Sequence, residues 1–419
     1  MHILLIHQAF AALGEPGGTR HHEFALQLTE LGHRVTVITG QVSYLTGEKR
    51  ETGAWFAREV DDSGVEIWRC RSYSGWHKSF FHRLLSFFSF MITSFIAGLR
   101  VRKVTLVWGT SPPIFQAVTA WMLARLKGAP FLFEVRDLWP YFAIDVGVLR
   151  QPIIIRLSEW LERFLYRRAD SMVINSPGFM EHVSSRGGEC VFVVPNGVDV
   201  AMFDQAIDRD SFRSEHNLQD KFVLIYAGAH GVSNDLGTIL DAAGILKDVP
   251  SIRFVLLGDG KEKDALQERA RQLSLNNVLF LPPVPKKEIP GALAGADACV
   301  AILKPIEAYK TTYPNKVFDY MAAGKPVLLM IDGVIRDVVE GADAGIFIEP
   351  GDAEGLAVAV QELEADPALG VRLGGAGRRC VEERFDRAYL ASEMERVMMQ
   401  LAESESAESS QRDRDRELG

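Results

Sequence analysis

Short apolar runs alternate with longer stretches of helical periodicity, and the alternation starts afresh half-way along the chain. Strands are expected at 2–7, 34–39, 65–70, 104–108, 130–135, 171–175 and 190–194, with helices at 20–31, 114–127 and 153–168 among them. A second series has strands at 222–227, 252–257, 278–281, 298–303, 326–331 and 345–348. Its helices are at 236–247, 261–273, 287–295, 315–323, 333–340 and 353–365. A strand that rejoins its sheet through a helix runs parallel to its predecessor, by a right-handed crossover. The expected class is therefore α/β: two Rossmann-like, doubly wound domains, with ligand crevices beyond the carboxyl ends of the strands. A length of 419 residues fits two such cores better than one.

The turn signal Pro195-Asn196-Gly197 and the weakly periodic polar stretch after it place the join. The expected division is a first domain at 1–198, a linker at 199–220 and a second domain at 221–385. A helix at 386–401 follows. The polar tail 402–419 cannot bury enough apolar surface to offset its ordering entropy, so disorder is expected there.

A net charge of -9 argues against a nucleic-acid binder. The charge is uneven: residues 1–200 hold 21 Lys and Arg against 18 Asp and Glu, and the remainder 25 against 37. No acid occurs between Glu66 and Glu134, a window with nine Lys and Arg. Within it, Leu84 to Leu99 is a Phe-rich apolar run flanked by Arg83 and Arg100. It is short for a span and diluted by Ser86, Ser89, Thr93 and Ser94. A helix lying on an anionic membrane surface and an ordinary core helix both fit. The expected contact is the inner membrane surface, through residues 67–133. The four cysteines lack metal or disulfide spacing, and the N-terminus lacks a signal-peptide pattern; a reduced, cytoplasmic setting is expected.

Candidate site residues cluster at strand ends. The first loop carries Gly14, Pro16, Gly17 and Gly18, then opens a helix at Arg20. It could hold a phosphate, a carboxylate or a sugar, or be a plain turn. Glu134, Arg136 and Asp137 follow an apolar strand; such charges are costly unless they bind a ligand or pair with each other. Gly228, His230 and Gly231 form a second-domain turn that would let backbone approach phosphate oxygens. In the segment 303–327, Asp319 lies in a helix starting near Asn315 and could accept hydrogen bonds from a ribose diol, or pair with Lys316. The helix start would face a diphosphate, with Lys304, Lys310 and Lys316 supplying positive charge.

At this segment the chain resembles the retaining glycosyltransferases of family 4, which have the GT-B fold of two facing Rossmann-like domains across a cleft. The marks are Gly17-Gly18, the turn Leu31-Gly32-His33-Arg34-Val35, the join Val194-Pro195-Asn196-Gly197-Val198-Asp199, and the run from Asp319 to Val327. Thr110-Ser111-Pro112-Pro113 with the run from Glu134 to Pro140 is similar to the WbuB-type subgroup, which builds bacterial O-antigen and capsule repeat units. The resemblance implies transfer of a sugar from a nucleotide-sugar, commonly a uridine one, to a lipid-linked or saccharide acceptor. No cofactor and no metal is implied.

Residue by residue, it implies donor binding by Gly17, Gly18, Gly228, His230, Gly231, Lys304, Thr312, Tyr313, Pro314, Asn315 and Asp319. Asp137, Arg136 and Lys316 take catalytic places, and Glu134 and Arg20 lie on the acceptor side. The final helix is expected to return to the first domain. Departures from the family pattern stand at Thr311, Arg136, Ala229 and Asn234, which replace a glutamate, a histidine and two basic residues. Charge neutralisation is therefore expected from Lys304, Lys310, Lys316 or Arg136. The rival readings are a sugar-nucleotide epimerase of the same fold and a non-catalytic nucleotide-sugar-binding subunit.

Overall fold

The computed structural model describes residues 1–11, 18–41, 55–73, 80–204 and 209–417. The chain forms two compact units. Unit 1 takes the chain up to Pro195 and again from Ala388; unit 2 takes Asn196–Arg387.

The strands of unit 1 are β1 (His2–Ile6), β2 (Arg34–Gly40), β3 (Phe56–Val60), β4 (Glu66–Cys70), β5 (Leu106–Ser111), β6 (Phe131–Val135), β7 (Ser171–Ile174) and β8 (Val191–Val193). They lie in the order β3-β4-β2-β1-β5-β6-β7-β8. All neighbours are parallel except β3, which pairs antiparallel with β4. β1 is apolar after His2 and wholly buried, because both faces of a doubly wound sheet are covered by helices. β3 escaped the sequence reading: its residues FAREV are half-buried to exposed, so no strong apolar period marks this edge strand.

The unit 1 helices are α1 (Arg20–Glu30), α2 (Phe80–Arg100), α3 (Ile114–Lys127), α4 (Tyr141–Asp145), α5 (Pro152–Tyr166) and α6 (Met180–Ser185). Unit 2 alternates β9 (Phe222–Ala227), β10 (Ile252–Leu257), β11 (Val278–Leu281), β12 (Ala298–Ile302), β13 (Val327–Met330) and β14 (Gly345–Phe347) with helices. Those helices are α7 (Arg209–Glu215), α8 (Leu236–Ile245), α9 (Lys263–Gln272), α10 (Ile289–Ala294), α11 (Asn315–Ala322), α12 (Val334–Gly341), α13 (Ala353–Ala365) and α14 (Pro367–Arg384). This second sheet is parallel throughout, in the order β11-β10-β9-β12-β13-β14. Strand order reverses beside β1 in one sheet and beside β9 in the other, which puts a ligand crevice at β1/β5 and at β9/β12.

Three boundaries differ from the sequence expectation. Residues 199–220 are not a free linker. Val198, Val200 and Leu218 are buried in the core of unit 2, with Phe203 and Phe212 packed on it. Arg213 of α7 is buried and pairs with Asp297 at 2.6 Å. The last helix, α15 (Arg387–Glu417), begins one residue later than expected and continues through most of the tail expected to be disordered. Its Leu390, Met394, Val397, Met398 and Leu401 are buried against Ile3, Leu5, Phe24 and Leu28 of unit 1. Each such side chain gains about 1.5–3 kcal/mol on burial, which is what ties the chain end to the first sheet.

α2 settles between its two sequence readings in an unexpected way. Ser86, Phe90, Thr93, Ser94 and Ala97 face inward, while Leu85, Phe88, Ile92 and Leu99 are exposed. The inward hydroxyls of Ser94 and Thr93 are satisfied by the helix's own carbonyls, Ser94 Oγ donating to Phe90 O at 2.5 Å and Thr93 Oγ1 to Ser89 O at 3.0 Å. Ser86 Oγ accepts from Gln8 Nε2 at 3.3 Å. By length and composition the stretch His82–Arg100 could cross a membrane, yet a third of it is buried in the protein.

Candidate functional site

Both sheets collect polar residues at the ends of the strands beside their reversal points. In unit 1 the collection is a buried chain of charges and imidazoles. Glu134 closes β6 and is wholly buried. Its carboxylate takes Arg20 Nε at 2.9 Å and His21 Nε2 at 2.5 Å. Burial alone would raise the Glu134 pKa, but the charges of His21 and Arg20 hold it well below the usual carboxylate range. Arg20 also donates to Pro195 O at 2.6 Å and Val194 O at 2.7 Å. It thus fixes the start of α1 to the end of the first domain.

The His21 ring lies 4.3 Å from that of His7, tilted by 46° to it, and His7 stands just past β1. Arg136 reaches His7 Nε2 at 3.1 Å and Thr110 Oγ1 at 2.9 Å. A guanidinium can only donate, so His7 Nε2 accepts and its proton sits on Nδ1. Burial, with His21 and Arg136 beside it, keeps His7 well below its ordinary pKa, and burial lowers His21 to about 4. Asp137 is half-buried, and burial raises its carboxyl to about 6. The sequence reading found Arg20, Glu134, Arg136 and Asp137 but not His7 or His21. The only local signal was a polar residue directly after an apolar strand and another in the first turn of α1.

In unit 2 the turn after β9 meets the start of α11. Gly228 has φ +156, and a Cβ there would lie 3.1 Å from Lys316 Nζ. Lys316 donates to Tyr226 Oη at 2.7 Å and Asn234 Oδ1 at 3.3 Å, and its ammonium stands 4.0 Å from the Tyr226 ring centroid. Among the described residues no carboxylate pairs with it. Burial draws its pKa down to about 7. The neighbouring turn packs tightly: a Cβ on Gly258 would lie 1.9 Å from Gly228 O, and one on Gly260 2.3 Å from His230 O.

The remaining expected donor residues divide. Pro314 caps α11, and exposed Asn315 and half-buried Thr312 stand beside it. Asp319 lies on α11 but pairs with Lys286 Nζ at 2.5 Å, not with Lys316. Lys286 was missed because it lies 33 residues away in sequence. Lys304 is half-buried, and among the described residues its ammonium has no ion-pair partner. Lys310 is exposed and held by Glu307 at 3.0 Å and Asp332 at 3.7 Å.

Two expected ligand side chains point elsewhere. The His230 ring is fully buried between Tyr226 and Phe280, and burial, then Lys263, lowers its pKa to about 4. Only its backbone serves the turn, through His230 N to Asp259 O at 2.8 Å. The Tyr313 ring packs on Phe318 and Phe385, while its carbonyl accepts from Asn196 Nδ2 at 2.7 Å. A Cβ on Gly231 would make one ordinary contact, with Asn234 Nδ2 at 3.6 Å, and one on Gly18 would meet nothing within 4 Å; Gly17 lies outside the described residues. Among the described residues no group of three or more His, Cys, Asp or Glu could hold a metal ion.

Residues 17–197 match the model of the glycosyl transferase 4-like domain, and residues 208–379 that of glycosyl transferases group 1. WcaI of Escherichia coli (strain K12), a glycosyl transferase named for colanic acid biosynthesis, is 25% identical over 350 residues, covering 80% of this chain and 85% of its own. Among solved structures, sucrose-phosphate synthase of Thermosynechococcus elongatus superposes with a TM-score of 0.77 at 17% identity, over 96% of this chain and 99% of its own. HepE of Anabaena, in complex with UDP and glucose, superposes with a TM-score of 0.70 at 16% identity, over 95% and 99%. Two α/β units, matched over residues 17–197 and 208–379, identify the chain as a member of the family 4 glycosyltransferases, which have the GT-B fold.

Proposed function

We propose that the chain transfers a sugar from a uridine-diphosphate donor, with retention at the anomeric carbon, to a lipid-linked or saccharide acceptor in bacterial surface polysaccharide biosynthesis. The observation that carries the reading is Lys316: a cation sunk beside the Gly228 turn at the start of α11, held by neutral oxygens and an aromatic face. A buried cation without a counter-charge is costly. A diphosphate would supply that counter-charge, and the amide hydrogens opening α11 would bind it further. The charge that grows on a departing nucleoside diphosphate is then met by groups already in place, each worth about 3 kcal/mol in the barrier. This needs no metal. Asp319 is assigned the ribose, with Lys286 orienting its carboxylate. HepE holds UDP and glucose on the same fold. WcaI carries a polysaccharide name.

On the acceptor side, Asp137 and Arg136 are assigned to the reacting hydroxyl, and Glu134 with Arg20 and the His7–His21 pair to holding that loop. The enzyme is proposed to work in the cytoplasm, against the inner membrane surface through the basic window 67–133. Thermal shift with UDP, GDP and ADP tests the donor, with and without EDTA. UDP at 100 times its dissociation constant should add about 2.7 kcal/mol of stability. Absence of stabilisation by any nucleoside diphosphate would sink the reading. The anomer formed on a membrane-lipid acceptor, read by NMR, tests retention; formation of an epimer without transfer would favour the rival.

A further inference from the structure

We propose that unit 1 seats on an anionic bilayer through one continuous face made by α2, α3 and α5. The inference rests on the membrane-side reading above and moves its centre to α5, which lies outside the basic window of residues 67–133.

The three helices lie side by side on one side of the sheet, α2 against α3 and α3 against α5. Their outward sides are apolar. α5 exposes Ile153 by 73%, Leu157 by 62% and Trp160 by 62%. These stand at i, i+4 and i+7, one stripe of a helix. α2 adds exposed Phe88 and Ile92, and α3 adds Leu126. Monomeric proteins seldom expose large apolar side chains grouped in this way without a partner.

The charge pattern names the partner. Exposed Arg156, Arg163 and Arg167 are interleaved with the α5 stripe. Of the two α5 glutamates, Glu162 lies off that face, buried against His182 at 2.7 Å and Arg186 at 3.0 Å. Half-buried Glu159 pairs with Arg163 at 3.9 Å and offsets that one charge, so the net positive charge of the stripe rests on Arg156 and Arg167. α2 and α3 contain no acid at all. Apolar and aromatic side chains between arginines are the pattern of a helix lying at the level of lipid headgroups. The inward hydroxyls of α2 fit the same reading, since Leu85, Phe88, Ile92 and Leu99 stay outside while Ser86, Thr93 and Ser94 take inward places beside Phe90 and Ala97.

The face also leads to the site. The exposed Phe88 ring lies 5.2 Å from Phe115, and Phe115 6.2 Å from Trp139. Trp139 is two residues from Asp137. Three rings thus join the lipid-facing surface to the strand-end loop, a path suited to an acceptor whose sugar sits on a lipid carrier.

The test is sedimentation of the full chain with vesicles of phosphatidylcholine alone or with added phosphatidylglycerol. Binding should require phosphatidylglycerol and weaken as salt rises. Leu157→Ser with Trp160→Ser should lower it tenfold or more. Arg156→Gln and Arg167→Gln should lower it about fivefold each. All four side chains are exposed, and an unchanged melting temperature verifies the fold. Undiminished binding by the α5 variants, or equal binding to both vesicles, would overturn the proposal. So would a wild-type dimer that these variants dissociate, since a second copy would then cover the face. UDP binding is measured separately, without vesicles. UDP binding retained without vesicle binding sinks this inference alone, and the reverse result sinks the donor reading alone.

Discussion

The two strand-end clusters handle buried charge in opposite ways. In unit 1 a carboxylate anchors the set: Glu134 is ionised and takes a guanidinium and an imidazole at once. In unit 2 the central cation, Lys316, has among the described residues a phenol, an amide oxygen and a ring face but no carboxylate. A cluster whose charges cancel is a positioning device and needs no ligand to be stable. A cation stored without its counter-charge is poised for an anion. Under the proposed function, stability would rest chiefly on the first cluster and diphosphate binding on the second.

The sharpest way to break this contrast is Glu134→Gln. It leaves Arg20 and His21 buried without their carboxylate, so stability should fall by about 3–5 kcal/mol in denaturant unfolding. A loss no larger than that of a surface substitution would show that Glu134 is not the anchor. Next is Lys316→Met, which should weaken UDP binding by roughly 1.5–3 kcal/mol, the range for a hydrogen bond to a charged group. Its melting temperature should hold or rise, because a half-buried cation with no carboxylate partner among the described residues is removed. Collapse of the fold without loss of UDP affinity would reverse the roles of the two clusters.

A smaller effect separates them by pH. Lys316 is drawn to about 7, so above that pH UDP binding must take up a proton. Affinity should fall as pH rises from 7, by at most about tenfold per unit, and the dependence should vanish in Lys316→Met. Before ligand is added the sign is opposite. The unfolded chain keeps its lysine proton to about 10 while the folded chain has released it, so folding stability rises with pH across that window. His21 at about 4 and Asp137 at about 6 titrate lower, and the first cluster should leave this range untouched. The smallest change expected is in Asp319→Asn, about fivefold weaker UDP binding for one impaired hydrogen bond, read by calorimetry.

The α11 segment was legible because its chemistry is local: a helix start, a lysine in its first turn and a carboxylate one turn on. The turn glycines Gly228 and Gly231 were legible for the same reason. The partners were not. Glu134 meets His21 across 113 residues, and Asp319 meets Lys286 across 33. His230 and Tyr313 sat in the right turn and segment, but nothing in the residues around them told that their rings go inward. Residues 199–220 looked like a linker because their few apolar positions have no period. Val200 and Leu218 are nonetheless buried, being single contacts to a core built by other elements.

By itself, the sequence determined two α/β units, parallel sheets and the helix that carries Lys316 and Asp319, because strand and helix periods and turn residues act within a few positions of the chain. The tertiary structure decided which charge answers which and that α2 would turn its hydroxyls inward. It also laid the tail helix on the first sheet and lined up α2, α3 and α5 as one apolar, arginine-studded face. Those outcomes depend on contacts between residues far apart in the chain, which no local period encodes.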